Sequence, residues 1–129
     1  MTTWTAEDLE RIEATDNVGI SSRRADGSLR RPITIWAVRV GDDVYVRSAY
    51  GPENPWFVRA RDSGAGRLTV AGHERDVDFE IPSPDVDDEV SAAYRAKYER
   101  RPPRVVATVV SAEAARCTLR LVPTGPPGA

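Results

Sequence analysis

The segment from residue 18 to residue 49 constrains the fold more than any other, because it holds three strand patterns joined by short turns. Residues 18–22 alternate in side-chain type, residues 33–40 (ITIWAVRV) are apolar on both faces, and residues 44–49 (VYVRSA) form the third pattern. Asp26-Gly27 is a strong hairpin signal, and a second turn follows at residues 41–43. Strands connected this closely pair in antiparallel fashion. The segment therefore predicts an antiparallel meander with residues 33–40 as a central strand.

The rest of the chain alternates between helix and strand patterns. In the first helix, Thr5 and Asp8 have capping-box spacing, and in the second, Asn54 is the expected cap with Pro55 in the first turn. The predicted helices cover residues 5–14, 54–63, 83–101 and 111–116. The further predicted strands cover residues 66–72, 74–81, 105–110 and 118–122.

These elements define the predicted fold class. About seven strands and three or four peripheral helices predict an α+β, mainly β protein, a small antiparallel barrel. Residues 1–122 are predicted to form a single domain, and residues 123–129 a flexible tail rich in proline and glycine. Within the strand 74–81, one face should be buried and the other solvated; the buried face comprises Arg75, Val77, Phe79 and Ile81.

Composition excludes several functional classes. No apolar run is long enough to span a membrane, and the N-terminus lacks a signal-peptide pattern, so we expect a cytoplasmic protein. Cys117 is the only cysteine and His73 the only histidine, which leaves no internal disulfide and predicts no metal centre. A formal net charge of −2 argues against a general nucleic-acid binder.

Arginines and tryptophans supply the candidate site. The 18 basic residues comprise 17 arginines and Lys97, which indicates either codon bias in a GC-rich genome or arginines that bind phosphate or carboxylate. Arg23 and Arg24 flank the first hairpin, Thr34 lies on the next strand, and Arg47-Ser48 ends the third. Strand ends and the helix N-terminus after Asn54 could bring these groups together at one phosphate site.

Two tryptophans, Trp36 and Trp56, add flat apolar surface for a ring system. The residues alone leave two interpretations equally open. One is a phosphate and ring site. The other is surface arginines combined with core tryptophans.

Three motifs carry a family resemblance: S-x-R-R-x-D-G-x-x-R-x-P, then W-x-V-R-x-G-D-D-x-Y-V-R-S-x-x-G, then N-P-W-F. Over residues 4–122 the chain resembles the uncharacterised family DUF 2255 and, more distantly, the split β-barrel superfamily of FMN and deazaflavin binders. That superfamily includes the pyridoxamine-phosphate-oxidase-like proteins and the deazaflavin-dependent nitroreductases. Arg59 stands where these relatives usually carry asparagine.

The resemblance implies a split β-barrel that binds a small-molecule cofactor, FMN or a deazaflavin, and forms a homodimer. The net charge and the hydropathy of the chain predict no nucleic-acid or membrane partner. By position it implies cofactor contacts at Arg23, Arg24, Thr34, Arg47, Ser48 and Trp56. The implied activity is hydride transfer to a small organic acceptor, with the chemistry supplied by the cofactor. The alternative is a binding or dimerisation module that has lost cofactor chemistry, because the superfamily also contains such members.

Overall fold

The computed structural model describes residues 3–124, which form seven strands and five α-helices. The strands are β1 (Val18–Ser22), β2 (Ile33–Ile35), β3 (Ala37–Val40), β4 (Asp43–Arg47), β5 (Ala65–Val70), β6 (His73–Glu80) and β7 (Thr118–Pro123). The helices are α1 (Ala6–Ala14), α2 (Pro55–Ser63), α3 (Asp87–Lys97), α4 (Pro103–Val110) and α5 (Ala112–Ala115), with a 3-10 turn at Pro84–Val86 before α3. Residues 125–129 of the predicted tail lie outside the described range.

All seven strands belong to one antiparallel sheet in the order β2-β1-β5-β6-β7-β4-β3. The two edge strands, β2 and β3, are consecutive in the chain and are separated only by Trp36. The sheet must therefore curl until its edges meet, which produces a nearly closed barrel. This confirms the predicted mainly β barrel, with five helices in place of the expected three or four.

The prediction of one central strand over residues 33–40 is wrong. The chain breaks at Trp36, so β2 pairs with β1 at one edge and β3 pairs with β4 at the other. The segment is apolar on both faces because β3 packs between two layers, with Ala37 in the barrel interior and Val38 against the helices. Burial on both faces therefore did not indicate a central position.

The prediction of a buried strand at residues 105–110 is also wrong, since these residues lie in α4. Pro103 occupies the first turn of this helix, where its missing N–H is not needed. Val106 and Val109, three residues apart, share the buried face. The proline pair that was expected only to stop the preceding helix also begins the next one.

Two hydrophobic clusters stabilise the fold. One fills the barrel interior, where residues such as Ile12, Leu68 and Leu119 are almost fully buried. The other lies between the outer face of β3–β4 and helices α3 and α4. Its members are Val38, Tyr45, Val90, Tyr94, Tyr98, Val106 and Val109. Helices α3 and α4 thus cover β3 and β4, the two strands that follow the break at Trp36.

Two local sequence patterns, the capping box of α1 and the alternation along β6, form the structures predicted from them. The capping box is present, since the Asp8 N–H donates to Thr5 Oγ1 at 3.0 Å and the Thr5 N–H donates to the Asp8 carboxylate at 3.3 Å. On β6, Arg75, Val77 and Phe79 face inward as predicted, but Ile81 lies beyond the strand and is 71% exposed.

Helix α2 begins after Asn54 with Pro55 in its first turn, although the Asn54 side chain makes no capping hydrogen bond. Within residues 3–124, no helix has the length and apolar character needed to cross a membrane.

Candidate functional site

The break at Trp36 forms one wall of an apolar cleft of about 450 Å³, which we call the tryptophan cleft. Its lining comes from β2, the end of β4, the following loop, the first turn of α2 and one side of α4. The lining residues are Ile33, Thr34, Ile35, Trp36, Arg47, Ala49, Tyr50, Asn54, Trp56, Val105, Thr108 and Val109. The cleft therefore contains three of the six residues predicted to contact a cofactor: Thr34, Arg47 and Trp56.

The Trp36 side chain is held in place by its neighbours. Its ring stacks on Tyr98 with a centroid distance of 4.0 Å and an interplanar angle of 8°. Its indole N–H donates to Asn17 Oδ1 at 3.2 Å. The Tyr94 hydroxyl donates to the Trp36 carbonyl at 2.9 Å. This wall of the cleft is thus fixed before any ligand binds.

Helix α3 also holds the residue after the break. Lys97 Nζ donates to the Ala37 carbonyl at 2.6 Å and to the Ile12 carbonyl at 2.7 Å. The Tyr98 hydroxyl lies 3.2 Å from the same Ala37 oxygen. Burial lowers the pKa of Lys97 to about 8, because the ammonium group has left water for a site that offers mainly carbonyl oxygens.

Arg47 is buried, with 3% of its surface exposed, and its guanidinium donates hydrogen bonds to other groups of the protein. It donates to Thr118 Oγ1 at 2.9 Å, Ser91 Oγ at 2.7 Å, the Val109 carbonyl at 3.0 Å and the Asp87 carbonyl at 2.9 Å. A guanidinium has five N–H donors, so one is left. Among residues 3–124, no carboxylate forms an ion pair with this group. Burial lowers the pKa of Arg47.

Ser48 is fully buried and does not line the tryptophan cleft. Its hydroxyl donates to the Gly51 carbonyl at 2.7 Å, and its N–H donates to the Cys117 carbonyl at 3.2 Å. Gly51 has a φ of +90°, and a Cβ there would overlap the Glu113 carboxylate. Ser48 therefore shapes the loop that leads from β4 into α2.

Arg23 and Arg24 line a different cleft of about 600 Å³, which we call the arginine cleft. It lies between the β1–β2 hairpin and the middle of α2. Its lining residues are Arg23, Arg24, Ala25, Gly27, Arg30, Val58, Arg59, Asp62, Ser63 and Ala65. The residues predicted to meet at one phosphate site therefore lie in two clefts. Helix α2 contributes Trp56 to the tryptophan cleft and Arg59 to the arginine cleft.

The contribution of α4 to the tryptophan cleft is absent from the predicted site. Val105, Thr108 and Val109 lie in the segment predicted as a strand, whereas their spacing of three and four residues places them on one side of a helix. The proline at the first helical position was the signal that could have identified them. Tyr50, which is 80% exposed at the mouth of the cleft, carries no comparable signal.

Other titratable residues lie in ordinary structural contacts. Asp76 accepts from Arg67 at 2.8 Å, and Glu80 pairs with Arg120. Burial raises the pKa of the Cys117 thiol, which is 1% exposed. Among residues 3–124, no group of three or more His, Cys, Asp or Glu side chains is arranged to hold a metal ion.

A family comparison covers most of the chain. The model of the family described as uncharacterized proteins conserved in bacteria, DUF2255, matches residues 8–121. No curated protein matches the sequence.

Solved structures share the fold at low identity. A Listeria innocua protein provisionally assigned as a pyridoxamine 5′-phosphate oxidase is 12% identical, with a TM-score of 0.62 and 92% of each chain covered. An FAD-binding protein from Mesorhizobium loti is 13% identical, with a TM-score of 0.58, covering 96% of this chain and 93% of the other. An F420 reductase is 14% identical, with a TM-score of 0.54, covering 96% of this chain and 97% of the other. These likenesses place the chain in the split-barrel fold implied by the sequence resemblance.

Proposed function

The chain belongs to the DUF2255 family, and from that premise we propose that it binds a flavin or deazaflavin cofactor, with the ring in the tryptophan cleft. The observation that carries the proposal is an apolar cleft of about 450 Å³ walled by two indoles and by one buried cation that has no carboxylate partner among residues 3–124. Ligand pockets of about 300–1,000 Å³ with few polar groups are typical of small-molecule sites. The names of two structural relatives, one FAD-binding and one an F420 reductase, support the same ligand class.

Each predicted residue has a role in this proposal. Trp56 and Trp36 would pack against the ring, and the Thr34 hydroxyl would bond its polar edge. Arg47 would act mainly by holding β4 against α3 and α4, with one N–H left for the ligand. Ser48 would keep the loop in shape, and Arg23 and Arg24 would contact the phosphate.

The proposed reaction is hydride transfer to a small organic acceptor. The bound cofactor would supply the hydride chemistry, while the protein supplies placement and exclusion of water. Of the described lining residues, Arg47 and Tyr50 are the ones with ionisable side chains. This scarcity of proton donors also favours the second candidate, a module that binds a ligand or dimerises without catalysis.

Titration of the purified protein with FMN and with a deazaflavin, followed by visible absorption and tryptophan fluorescence, tests the proposal. Trp56→Ala should raise the Kd about tenfold or more, through loss of aromatic packing worth about 1.4 kcal/mol. Ile81→Ala, at an exposed apolar residue outside the cleft, is the matched control and should leave the Kd unchanged. Failure of both cofactors to bind at millimolar concentration would refute the proposal.

Turnover separates the two candidates. Oxidation of the reduced cofactor by a quinone or nitroarene, faster with the protein than without it, supports an oxidoreductase. Tight binding without acceleration supports the binding module. We further propose a homodimer, as the resemblance implies, and a cytoplasmic location, as the hydropathy and the N-terminal sequence predict. Light scattering coupled to size exclusion would reject the dimer if the mass found were that of one chain, 14.2 kDa.

A further inference from the structure

The arginine cleft concentrates positive charge from two elements that are distant in sequence. Arg23, Arg24 and Arg30 come from the β1–β2 hairpin, and Arg59 comes from the facing side of α2. Four arginines therefore line one cavity of about 600 Å³. Like charges that lie close together repel one another, so an anion bound among these arginines would be stabilised.

The protein itself supplies little compensation. Asp62 is the one carboxylate among the lining residues, and it already accepts from Arg61 Nε at 3.1 Å. Arg23 lies 3.4 Å from Asp76, but Asp76 is shared with Arg67 at 2.8 Å. Four guanidinium groups and one carboxylate leave the lining with a formal charge of +3.

Three of the four arginines have no acidic partner. Within residues 3–124, Arg24, Arg30 and Arg59 form no ion pair with any carboxylate. The Nε of Arg30 is buried and lacks a hydrogen-bond partner, which is unfavourable for a charged donor unless a ligand oxygen reaches it. This donor is an observation separate from the charge count, and an anion in the cleft would offer it an acceptor.

The hairpin wall is held in a defined shape. Arg23 Nη1 donates to the Gly27 carbonyl at 2.8 Å, and Arg24 Nη1 donates to the Leu29 carbonyl at 3.0 Å. The backbone N–H of Arg23 donates to the Ala65 carbonyl at 3.0 Å, which ties the hairpin to β5 beside the cleft. The guanidinium groups of this wall are therefore partly ordered before a ligand arrives, which reduces the entropy lost on binding.

We propose that the arginine cleft is a binding site for a polyanion that carries two or more neighbouring anionic groups, such as a diphosphate. Guanidinium groups bind phosphate and carboxylate oxygens through paired N–H donors, and four arginines on two walls of a cavity of about 600 Å³ provide donors and room for two neighbouring anionic groups. The polyanion can be the tail of a molecule whose ring lies in the tryptophan cleft, since α2 borders both clefts, or it can be a separate small anion.

Calorimetric titration of the full chain with sodium pyrophosphate, in low-salt buffer, tests the site directly. Pyrophosphate should bind at least tenfold more tightly than orthophosphate, and its affinity should fall as salt is added. The double variant Arg30→Gln, Arg59→Gln should weaken pyrophosphate binding at least tenfold. Arg95→Gln, at an exposed arginine on α3, is the matched control and should bind as the unmodified protein does.

Three results would overturn the proposal. The first is equal affinity for pyrophosphate and orthophosphate. The second is unchanged pyrophosphate binding in the double variant, and the third is an equal loss of binding in the control. Circular dichroism and urea unfolding of each variant establish that it is folded, and the single variant Arg59→Gln serves if the double variant is not.

Competition identifies the source of the anion. Riboflavin, which lacks a phosphate, probes the tryptophan cleft alone, while FAD carries both a ring and a diphosphate. Pyrophosphate that displaces FAD but not riboflavin supports a polyanion site for the tail, and pyrophosphate that binds together with FAD supports a separate anion site. Pyrophosphate binding without binding of any flavin or deazaflavin would refute the proposed function and leave this inference intact.

Discussion

The replacement Arg47→Met tests the structural role of the buried guanidinium. The four hydrogen bonds of Arg47 join the end of β4 to β7, α3 and α4, through Thr118, Ser91, Asp87 and Val109. Methionine keeps an unbranched apolar stem of similar reach but donates no hydrogen bond. The variant therefore removes the hydrogen-bond donors of the side chain while keeping the packing of its apolar stem.

The magnitude follows from the burial of the acceptors. The bonds to Thr118 Oγ1 and the Val109 carbonyl are buried, whereas those to Ser91 and Asp87 are only partly buried, and the latter two acceptors can be rehydrated. Each buried acceptor left without a donor costs about 1–3 kcal/mol. Removal of a desolvated charge offsets part of this cost, so we expect the free energy of unfolding to fall by about 2–4 kcal/mol.

Urea unfolding at neutral pH, followed by tryptophan fluorescence and circular dichroism, measures the effect without any ligand. Arg95→Met removes an exposed arginine on α3 and should change the free energy of unfolding by no more than about 0.5 kcal/mol. If the free energy of unfolding of Arg47→Met also stays within about 0.5 kcal/mol of that of the unmodified protein, the four hydrogen bonds of Arg47 do not stabilise the fold. Arg47 would then be better explained as a ligand contact alone.

Three further predictions concern other buried positions. Burial lowers the pKa of Lys97 from 10.5 to about 8, so between these pH values the unfolded chain binds more protons than the folded one. The free energy of unfolding should therefore rise by about 1–2 kcal/mol from pH 8 to pH 10.5, relative to that of Lys97→Met. Urea unfolding at successive pH values would contradict this if the difference between the two proteins stayed constant. Gly66→Ala should lower the stability of the protein by at least about 2 kcal/mol in thermal unfolding, because the new Cβ would overlap the Ser21 carbonyl oxygen. Gly19→Ala is the control: its Cβ would meet its nearest atoms at 3.6 Å, so the stability should hardly change. The Cys117 thiol should react with a disulfide reagent roughly a hundredfold more slowly in the folded protein than in urea, and equal rates would show that it is accessible.

Elements specified by neighbouring residues could be predicted from the sequence. Helix α1 is an example, because Thr5 and Asp8 satisfy each other's backbone donors within one turn. The buried face of β6 is another, because alternate residues point to opposite sides of a strand wherever the strand lies. Such features depend on spacings of two to four residues, which the sequence displays directly.

The candidate site was predictable only in part. Thr34, Arg47 and Trp56 were selected on residue type and resemblance, and they do line one cleft. That Arg23 and Arg24 line another cleft depends on how the hairpin packs against α2, which no local pattern encodes. The bonds of Arg47 likewise involve partners 40 to 71 residues away in the chain.

The sequence by itself determined the fold class, the turns and most helix starts, since these follow from local hydrogen bonding and side-chain alternation. Only the tertiary structure decided where residues 33–40 break and what residues 105–110 become. The break at Trp36 arises because the barrel closes there. In α3, the Tyr94 hydroxyl donates to the Trp36 carbonyl and Lys97 Nζ donates to the Ala37 carbonyl. Short apolar runs of β-branched residues suit strand and helix alike, so the surface they pack against makes the choice.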